Sequence, residues 1–236
     1  MSPALVISRR EIRTYFNSPV AYIVVPAFTI ITGVLFFMQL FVEKQADLRG
    51  FFGIMPLMFM FLAPALTMRL LADEKASGTL ELLITLPVRD WEIVVGKFLA
   101  ALFLLCTALG LTLAFAITVR SLGPLDRGPA IGGYLGLVMM GGAFLAIGLM
   151  ASSFTRNSIV SFIVAFAISF VLYLIGKVTQ FVPPSLQAVT SFLSIDGHFD
   201  NISRGVIDSR DVVYYFSMIG VSLLIATMSL ESRKWR

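Results

Sequence analysis

The chain is 236 residues long, with 58% hydrophobic residues, 14% charged residues and a formal net charge of +4. Soluble domains carry about 25% charged residues, so this composition excludes an ordinary soluble protein and predicts a membrane protein with several spans. The positive charge is typical of basic cytoplasmic loops, and we expect no nucleic-acid partner. The single cysteine, Cys106, excludes an intramolecular disulfide and a thiolate metal cluster.

The N-terminal residues 1–18 combine arginines with apolar side chains. Four residues recur at helical spacing on one face: Leu5, Ser8, Ile12 and Phe16. The arginines fall on other faces, and this pattern predicts a helix that lies in the inner headgroup layer. The alternative is a basic flank that only orients the first span. A secretory signal is disfavoured, because the following apolar run is too long and lacks a cleavage site.

Six apolar runs are long enough to cross about 30 Å of hydrocarbon as helices. They cover residues 20–42, 50–68, 93–119, 130–152, 159–176 and 212–230. The predicted fold class is therefore all-α, a polytopic membrane protein with six transmembrane helices. An even number of spans places both termini on the same side of the membrane.

Helix-breaking and small residues mark two of these spans. Pro56 and Pro64 fall inside the second span, where each leaves a backbone carbonyl that a neighbouring group must satisfy. Either this span is kinked and lines a substrate path, or the prolines pack inside the bundle; the sequence leaves both open. In the fourth span, Gly132 and Gly136 form a small-xxx-small face that lets helices approach closely. We expect that face to pack inside one subunit.

The link 69–92 between the second and third spans is rich in charged residues. An apolar face at helical spacing is formed by Leu80, Leu83 and Ile84. Glu81 lies beside that face, and Pro87 disfavours a helical conformation at the residue before it. The pattern predicts a short amphipathic helix that ends at Leu86 and needs a partner for its apolar face.

This link resembles the cytoplasmic loop of type-2 ABC-transporter permeases in its residues EKASGTLELL at 74–83, LPV at 86–88, WE at 91–92 and GK at 96–97. The similarity is greatest to the gliding-motility and nitrous oxide reductase maturation branch, and it covers essentially the whole chain. It implies a single ABC permease domain, 1–236, whose coupling helix docks on a separate ATPase. The implied coupling residues are Glu74, Gly78, Thr79, Leu80, Glu81, Leu83, Ile84 and Pro87. We expect the two glutamates to make polar contacts with the ATPase and the leucines and isoleucine to form a hydrophobic dock.

The link 177–211 before the last span resembles the same family in HF at 198–199, RGVID at 204–208 and RDVVYY at 210–215. The resemblance implies two short re-entrant helices at the outer leaflet that cap the exit of the path. The implied outer gate consists of His198, Phe199, Arg204, Asp208, Arg210 and Asp211.

The charged residues of this link also allow local pairing. We expect exposed ion pairs of Asp200 with Arg204, and of Asp208 with Arg210 or Arg204. A metal site at Asp196, His198 and Asp200 is disfavoured, because positions i, i+2 and i+4 do not share one helical face. The chain also has no second histidine.

Eleven of the 18 lysines and arginines lie on the side of the termini and seven on the opposite side. This bias predicts that the termini and the 69–92 loop are cytoplasmic. None of the 14 acidic residues lies near the centre of a span, which argues against ion-coupled transport. The sequence shows no P-loop and no catalytic constellation. We therefore expect a non-catalytic subunit without a cofactor, and ATP with Mg²⁺ on the partner ATPase.

Together these features predict the permease subunit of an ATP-driven ABC export complex in a bacterial inner membrane. The expected partners are an ABC ATPase, a second permease (a copy or a related chain), membrane lipid and an accessory or periplasmic subunit. The alternative is a non-transporting membrane anchor that transmits ATPase motion to an envelope or gliding-motility machine. A lipid, a polysaccharide, a peptide and a sulfur- or copper-linked species are all open as substrates.

Overall fold

The computed structural model describes residues 2–79, 88–181, 183–206 and 208–232, and within them the fold is all-helical. The α-helices of these residues are α1 (Pro3–Asn17), α2 (Pro19–Glu43), α3 (Arg49–Thr67), α4 (Ala72–Ser77), α5 (Asp90–Leu122), α6 (Arg127–Phe154), α7 (Ser158–Val178), α8 (Pro184–Leu193), α9 (Ile195–Ser203) and α10 (Ser209–Glu231). A 3-10 turn, Thr179–Phe181, follows α7.

Six helical segments of the described chain are long and apolar enough to cross a membrane. They are α2, α3 with α4, α5, α6, α7 and α10. The prediction of an all-α polytopic membrane protein with six spans is therefore confirmed. The helices cover the predicted spans, except that α3 ends at Thr67, one residue before the predicted end.

Side-chain caps fix where three of these helices begin. Asp126, Asn157 and Asp208 precede α6, α7 and α10, and each accepts a hydrogen bond from the backbone N–H two residues later, at 3.2, 2.9 and 3.0 Å. Such caps satisfy backbone donors that have no partner within the helix. The helix is interrupted at Ser18, between α1 and α2. Pro19 starts the new helix, where its missing N–H costs no hydrogen bond. Local chemistry thus sets these links.

The core of the bundle is built around α6, which packs against α3, α5, α7, α9 and α10. In the most apolar stretch of α6, 78% of the residues are buried, against 17% in that of α7 and 22% in that of α10. Glycines permit this close approach: a Cβ at Gly133 would lie 2.2 Å from the Phe52 ring. The exposed apolar faces of α7 and α10 are consistent with contact to lipid or to another membrane subunit.

The Gly132–Gly136 face packs inside the chain, as predicted. A Cβ at Gly132 would lie 2.6 Å from the carbonyl oxygen of Ile202, and a Cβ at Gly136 would lie 3.0 Å from the Phe199 ring. Both partners belong to α9, so the small residues of α6 seat this short helix. Pro56 and Pro64 are both buried within the bundle, which favours the packing alternative for these prolines.

The N-terminal helix α1 lies along the start of α5, and the predicted apolar face is confirmed in part: Ser8 is buried, and Ile12 and Phe16 pack partly buried against the core. Leu5, by contrast, is 53% exposed. The buried face also takes in Ile7, Glu11 and Tyr15, and Glu11 faces a buried cation on α5, as described below. The tyrosine secures the far end of α1, since its hydroxyl donates to the carbonyl of Leu66 at 2.8 Å.

Candidate functional sites

The bundle has two functional ends. The α1 end contains α1, α4, the start of α5 and the end of α6, and it carries the stem of the 69–92 loop. The α9 end contains α8, α9, and the starts of α6 and α10. The two ends lie at opposite termini of α3, since Leu66 contacts α1 whereas Phe52 packs edge-on against Phe199 at 6.2 Å.

At the α1 end, Ser152 fixes the point where the chain leaves α3. Its hydroxyl accepts hydrogen bonds from the backbone N–H groups of Leu71 and Ala72 at 3.1 and 3.0 Å. The same hydroxyl donates to the carbonyl of Met68 at 3.1 Å. Ser152 is fully buried, so one side chain of α6 satisfies three backbone groups of the turn before α4.

The next contacts tie α4 to the ends of α6 and α10. The buried ammonium of Lys75 donates to the carbonyl of Ser153, which also accepts from the hydroxyl of Ser229 at 2.8 Å. Gly78 ends α4 with φ of +73°, a left-handed conformation that glycine adopts without steric cost. The stem of the loop is therefore anchored on α6 before the chain reaches residue 80, and the Ser153 carbonyl links that anchor to α10.

Four charged side chains form a cluster at this end: Arg10, Glu11, Glu74 and Lys97. Lys97 is its centre, with 1% of its side chain exposed; its ammonium lies 2.8 Å from Glu74 and 3.1 Å from Glu11. Arg10 lies 2.9 Å from Glu11 and 3.2 Å from Glu74. The cluster joins α1, α4 and α5.

The charges of this cluster depend on one another. Burial would raise the pKa of Glu11, but the Lys97 ammonium and the Arg10 guanidinium outweigh that effect, so the pKa of Glu11 is lowered. A buried cation and buried carboxylates are stable together, while either is costly alone. The close approach needs Gly96, because a Cβ there would lie 2.7 Å from the carbonyl oxygen of Ala4.

The predicted coupling residues are only partly within this description. Leu80, Glu81, Leu83, Ile84 and Pro87 lie outside the described residues. Glu74, Gly78 and Thr79 are described, and the Glu74 side chain is 18% exposed and turned toward Lys97 and Arg10. Sequence reasoning missed the cluster, although one signal was present: Lys97 is a lysine at the beginning of a long apolar run.

At the α9 end, α8 and α9 are the two short helices that the resemblance implied. Two tyrosines of α10 hold them: Tyr214 donates to the carbonyl of Leu193 at 2.9 Å, and Tyr215 donates to that of Ile195 at 2.7 Å. Phe199 is buried over Gly136. The 177–211 link is therefore fastened to the bundle at the end of α8 and along α9.

His198 connects α8, α9 and α10. Its Nδ1 lies 2.6 Å from Oδ1 of Asp211, and its Nε2 lies 3.0 Å from the carbonyl oxygen of Phe192. The imidazole stacks on the Tyr214 ring at 4.0 Å between centroids. Both ring nitrogens thus face protein oxygens, and of the six predicted gate residues the structure brings His198 and Asp211 together, whereas Phe199 packs against Phe52 and Gly136.

None of the predicted ion pairs of this link forms a direct contact among the described residues, although Arg204 lies close enough to act on the charge of Asp200. Within the described residues, the charged contacts near α9 are Lys177 with Asp196 and His198 with Asp211. Asp208 instead caps α10, because its carboxylate accepts the backbone N–H of Arg210. The side chains of Arg204, Asp208 and Arg210 are exposed.

The six long apolar helices, joined by links at alternate ends of the bundle, define a multi-pass membrane protein. Residues 29–227 match the family model described as ABC-2 family transporter protein. The chain therefore belongs to this family, and it is a membrane permease subunit of an ABC system. Such subunits are generally non-catalytic and associate with an ABC ATPase. A comparison with curated proteins finds no match.

Proposed function

We propose that this permease couples ATP hydrolysis on a separate ATPase to export of a substrate across a bacterial inner membrane. The α1 end faces the cytoplasm in this proposal, and the α9 end faces outward. The excess of lysine and arginine on the side of the termini, eleven against seven, supports this orientation. The gliding-motility and nitrous oxide reductase maturation branch stays the nearest resemblance, and the substrate stays open.

The ATPase docks on the 69–92 loop. The apolar face of this loop consists of Leu80, Leu83 and Ile84, and Glu81 supplies a polar contact at the edge of that face. Glu74 takes a different role from the one first expected, because its carboxylate is already held by Lys97 and Arg10. We assign it to positioning the loop from inside the permease.

The observation that carries this proposal is the charge cluster. It joins α4, which leads into the docking loop, to α5 and α1 through contacts of 2.8 to 3.2 Å. A push on the loop by the closing ATPase dimer therefore reaches the third span and the N-terminal helix together. A second permease, either a copy or a related chain, completes the transport unit.

The test is the ATPase activity of the reconstituted complex. In a permease with Glu81→Arg and Leu83→Asp, we expect stimulation of the ATPase to fall by at least about tenfold, because truncating an interface hot spot costs 2 kcal/mol or more. Asp73→Arg is the matched control, since it reverses an exposed charge in the same loop, and it should keep normal stimulation. Full stimulation in the double variant would rule out this docking site.

The same complex distinguishes the exporter from the membrane anchor. An exporter moves substrate when permease and ATPase alone are reconstituted in vesicles. A force-transmitting anchor hydrolyses ATP there without transport and copurifies with a further subunit that extends outside the membrane.

A further inference from the structure

His198 lies where three elements meet at the α9 end, and the positions of its two nitrogens define a proton requirement. Oδ1 of Asp211 lies at Nδ1, and the carbonyl of Phe192, which can only accept, lies at Nε2. A neutral imidazole has one N–H donor, whereas the imidazolium has two. Both hydrogen bonds therefore form only when the His198–Asp211 pair holds one proton more than a neutral histidine beside an ionised aspartate.

The surroundings of Asp211 favour that extra proton. Asp211 is 3% exposed, and its Oδ2 has no hydrogen-bond partner among the described residues. His198 is also the charged partner that the structure gives this carboxylate. A buried carboxylate without a compensating charge is costly, so the imidazolium satisfies both the charge and the geometry.

We propose that His198 and Asp211 form a proton-dependent latch that fastens α8 and α9 to the first turn of α10. When the pair loses its proton, the remaining N–H stays with the Asp211 carboxylate. The Nε2 lone pair then faces the carbonyl oxygen of Phe192, and two acceptors repel each other. The contact of His198 with Phe192 of α8 is then lost and α8 loosens, while Tyr214 still holds Leu193 and Tyr215 still holds Ile195.

Other ionisable groups around this latch are already engaged or lie farther from the imidazole. Those on α9 or close to it are Asp196 and Asp200 on α9 itself, Arg204 at its end, Lys177 on α7, Arg49 on α3, and Tyr214 and Tyr215 on α10. Lys177 pairs with Asp196, and the two α10 tyrosines donate to backbone carbonyls. Helix α8 has no ionisable side chain. Burial also raises the pKa of Asp200, but that residue lies on the exposed side of α9, so the proton response at the contact with α8 centres on the His198–Asp211 pair.

If the termini are cytoplasmic, as proposed above, the latch faces the outer compartment. Only this orientation rests on the proposed function. Acid outside would keep the outer helices closed over the bundle, and rising pH would loosen them. The latch itself needs no ATPase, so its test stands apart from the test of coupling.

The single histidine of the chain makes a direct measurement possible. Nuclear magnetic resonance of ¹⁵N-histidine-labelled permease in detergent follows the ring nitrogens as the pH rises. We expect the pair to lose its proton over the same pH range in which hydrogen exchange of residues 184–203 rises. Loss of the ring proton with no change in that exchange would overturn the latch.

Hydrogen exchange across residues 184–203 reports the release. After correction for the chemical exchange rate, we expect exchange in the wild type to rise about tenfold or more as the pair loses its proton, because a hydrogen bond to a charged group is lost. In His198→Gln, exchange should be fast at every pH and should show no such rise. Tyr215→Phe is the matched control, since it removes a non-titrating hydrogen bond to α9 and should keep the step. A step that survives in both His198→Gln and Asp211→Asn would contradict the proposal.

Discussion

Replacing Lys97 with methionine tests whether the charge cluster holds the α1 end together. The substitution keeps an unbranched chain but removes the buried cation, leaving Glu11 and Glu74 with Arg10 alone. Breaking a buried ion pair by removing one partner costs about 3–5 kcal/mol. Because the half-exposed Arg10 remains 2.9 and 3.2 Å from the two carboxylates, we expect a loss near the lower limit, about 3 kcal/mol.

Thermal unfolding of the purified permease in detergent measures this loss. For a chain of this size, 1 kcal/mol shifts the Tm by about 2–4 °C, so Lys97→Met should lower the Tm by about 6–12 °C. Arg9→Met is the control: it removes an exposed cation of the same α1 and should leave the Tm nearly unchanged. Adding Glu74→Gln to Lys97→Met should recover part of the loss, since one orphaned charge is then removed.

The pH dependence gives a second signature of the same cluster. The pKa of Glu11 is lowered from its ordinary value of 4.5 in the folded protein. Its contribution is therefore present above pH 4.5 and is lost as the pH falls through the folded pKa. In Lys97→Met the cation that lowers the pKa of Glu11 is gone, so burial keeps that pKa higher. Glu11 of the variant is then protonated at a higher pH, and the difference in stability between the wild type and the variant should narrow as the pH falls. An unchanged Tm, or a gap that widens in acid, would refute the reasoning.

Two further variants test the packing at this end. Gly96→Ala should destabilise the permease by about 1–3 kcal/mol and speed protease cleavage in α1, because the new Cβ meets the α1 backbone at 2.7 Å. Gly110→Ala on the same helix is the control: a Cβ there has nothing within 4 Å, so this variant should not be destabilised. Ser152→Ala should cost about 1–3 kcal/mol in thermal unfolding, because it leaves two N–H groups at the start of α4 without an acceptor. Ser153→Ala, whose hydroxyl donates within its own helix, should change the Tm less, and equal losses in the two serine variants would argue against this role of Ser152.

The spans were predictable because bilayer thickness demands a long apolar run for each one, and composition records that run directly. The packing role of Gly132 and Gly136 also followed from local sequence, whereas the two short helices α8 and α9 were expected only from the resemblance to the family. These features depend on residues that are neighbours in the chain, where periodicity and small-residue spacing carry the information.

The clusters were not predictable in the same way. Glu11 is buried in α1 because it contacts Lys97, 86 residues away, so helical spacing placed Ser8, Ile12 and Phe16 on the inner face but missed Glu11. His198 pairs with Asp211 across 13 residues, whereas local spacing suggested pairs of neighbouring charges such as Asp208 and Arg210. Each error arose where a side chain found its partner on another helix.

The central claim is that this chain works as the permease of an ABC complex through its 69–92 loop. Its most direct test is purification of the tagged chain from its native membrane in mild detergent, with identification and stoichiometry of the copurifying proteins. We predict two permease chains with two ABC ATPase subunits, and loss of the ATPase when Glu81→Arg and Leu83→Asp are introduced. A permease that retains its fold and copurifies with no ATPase would contradict the account.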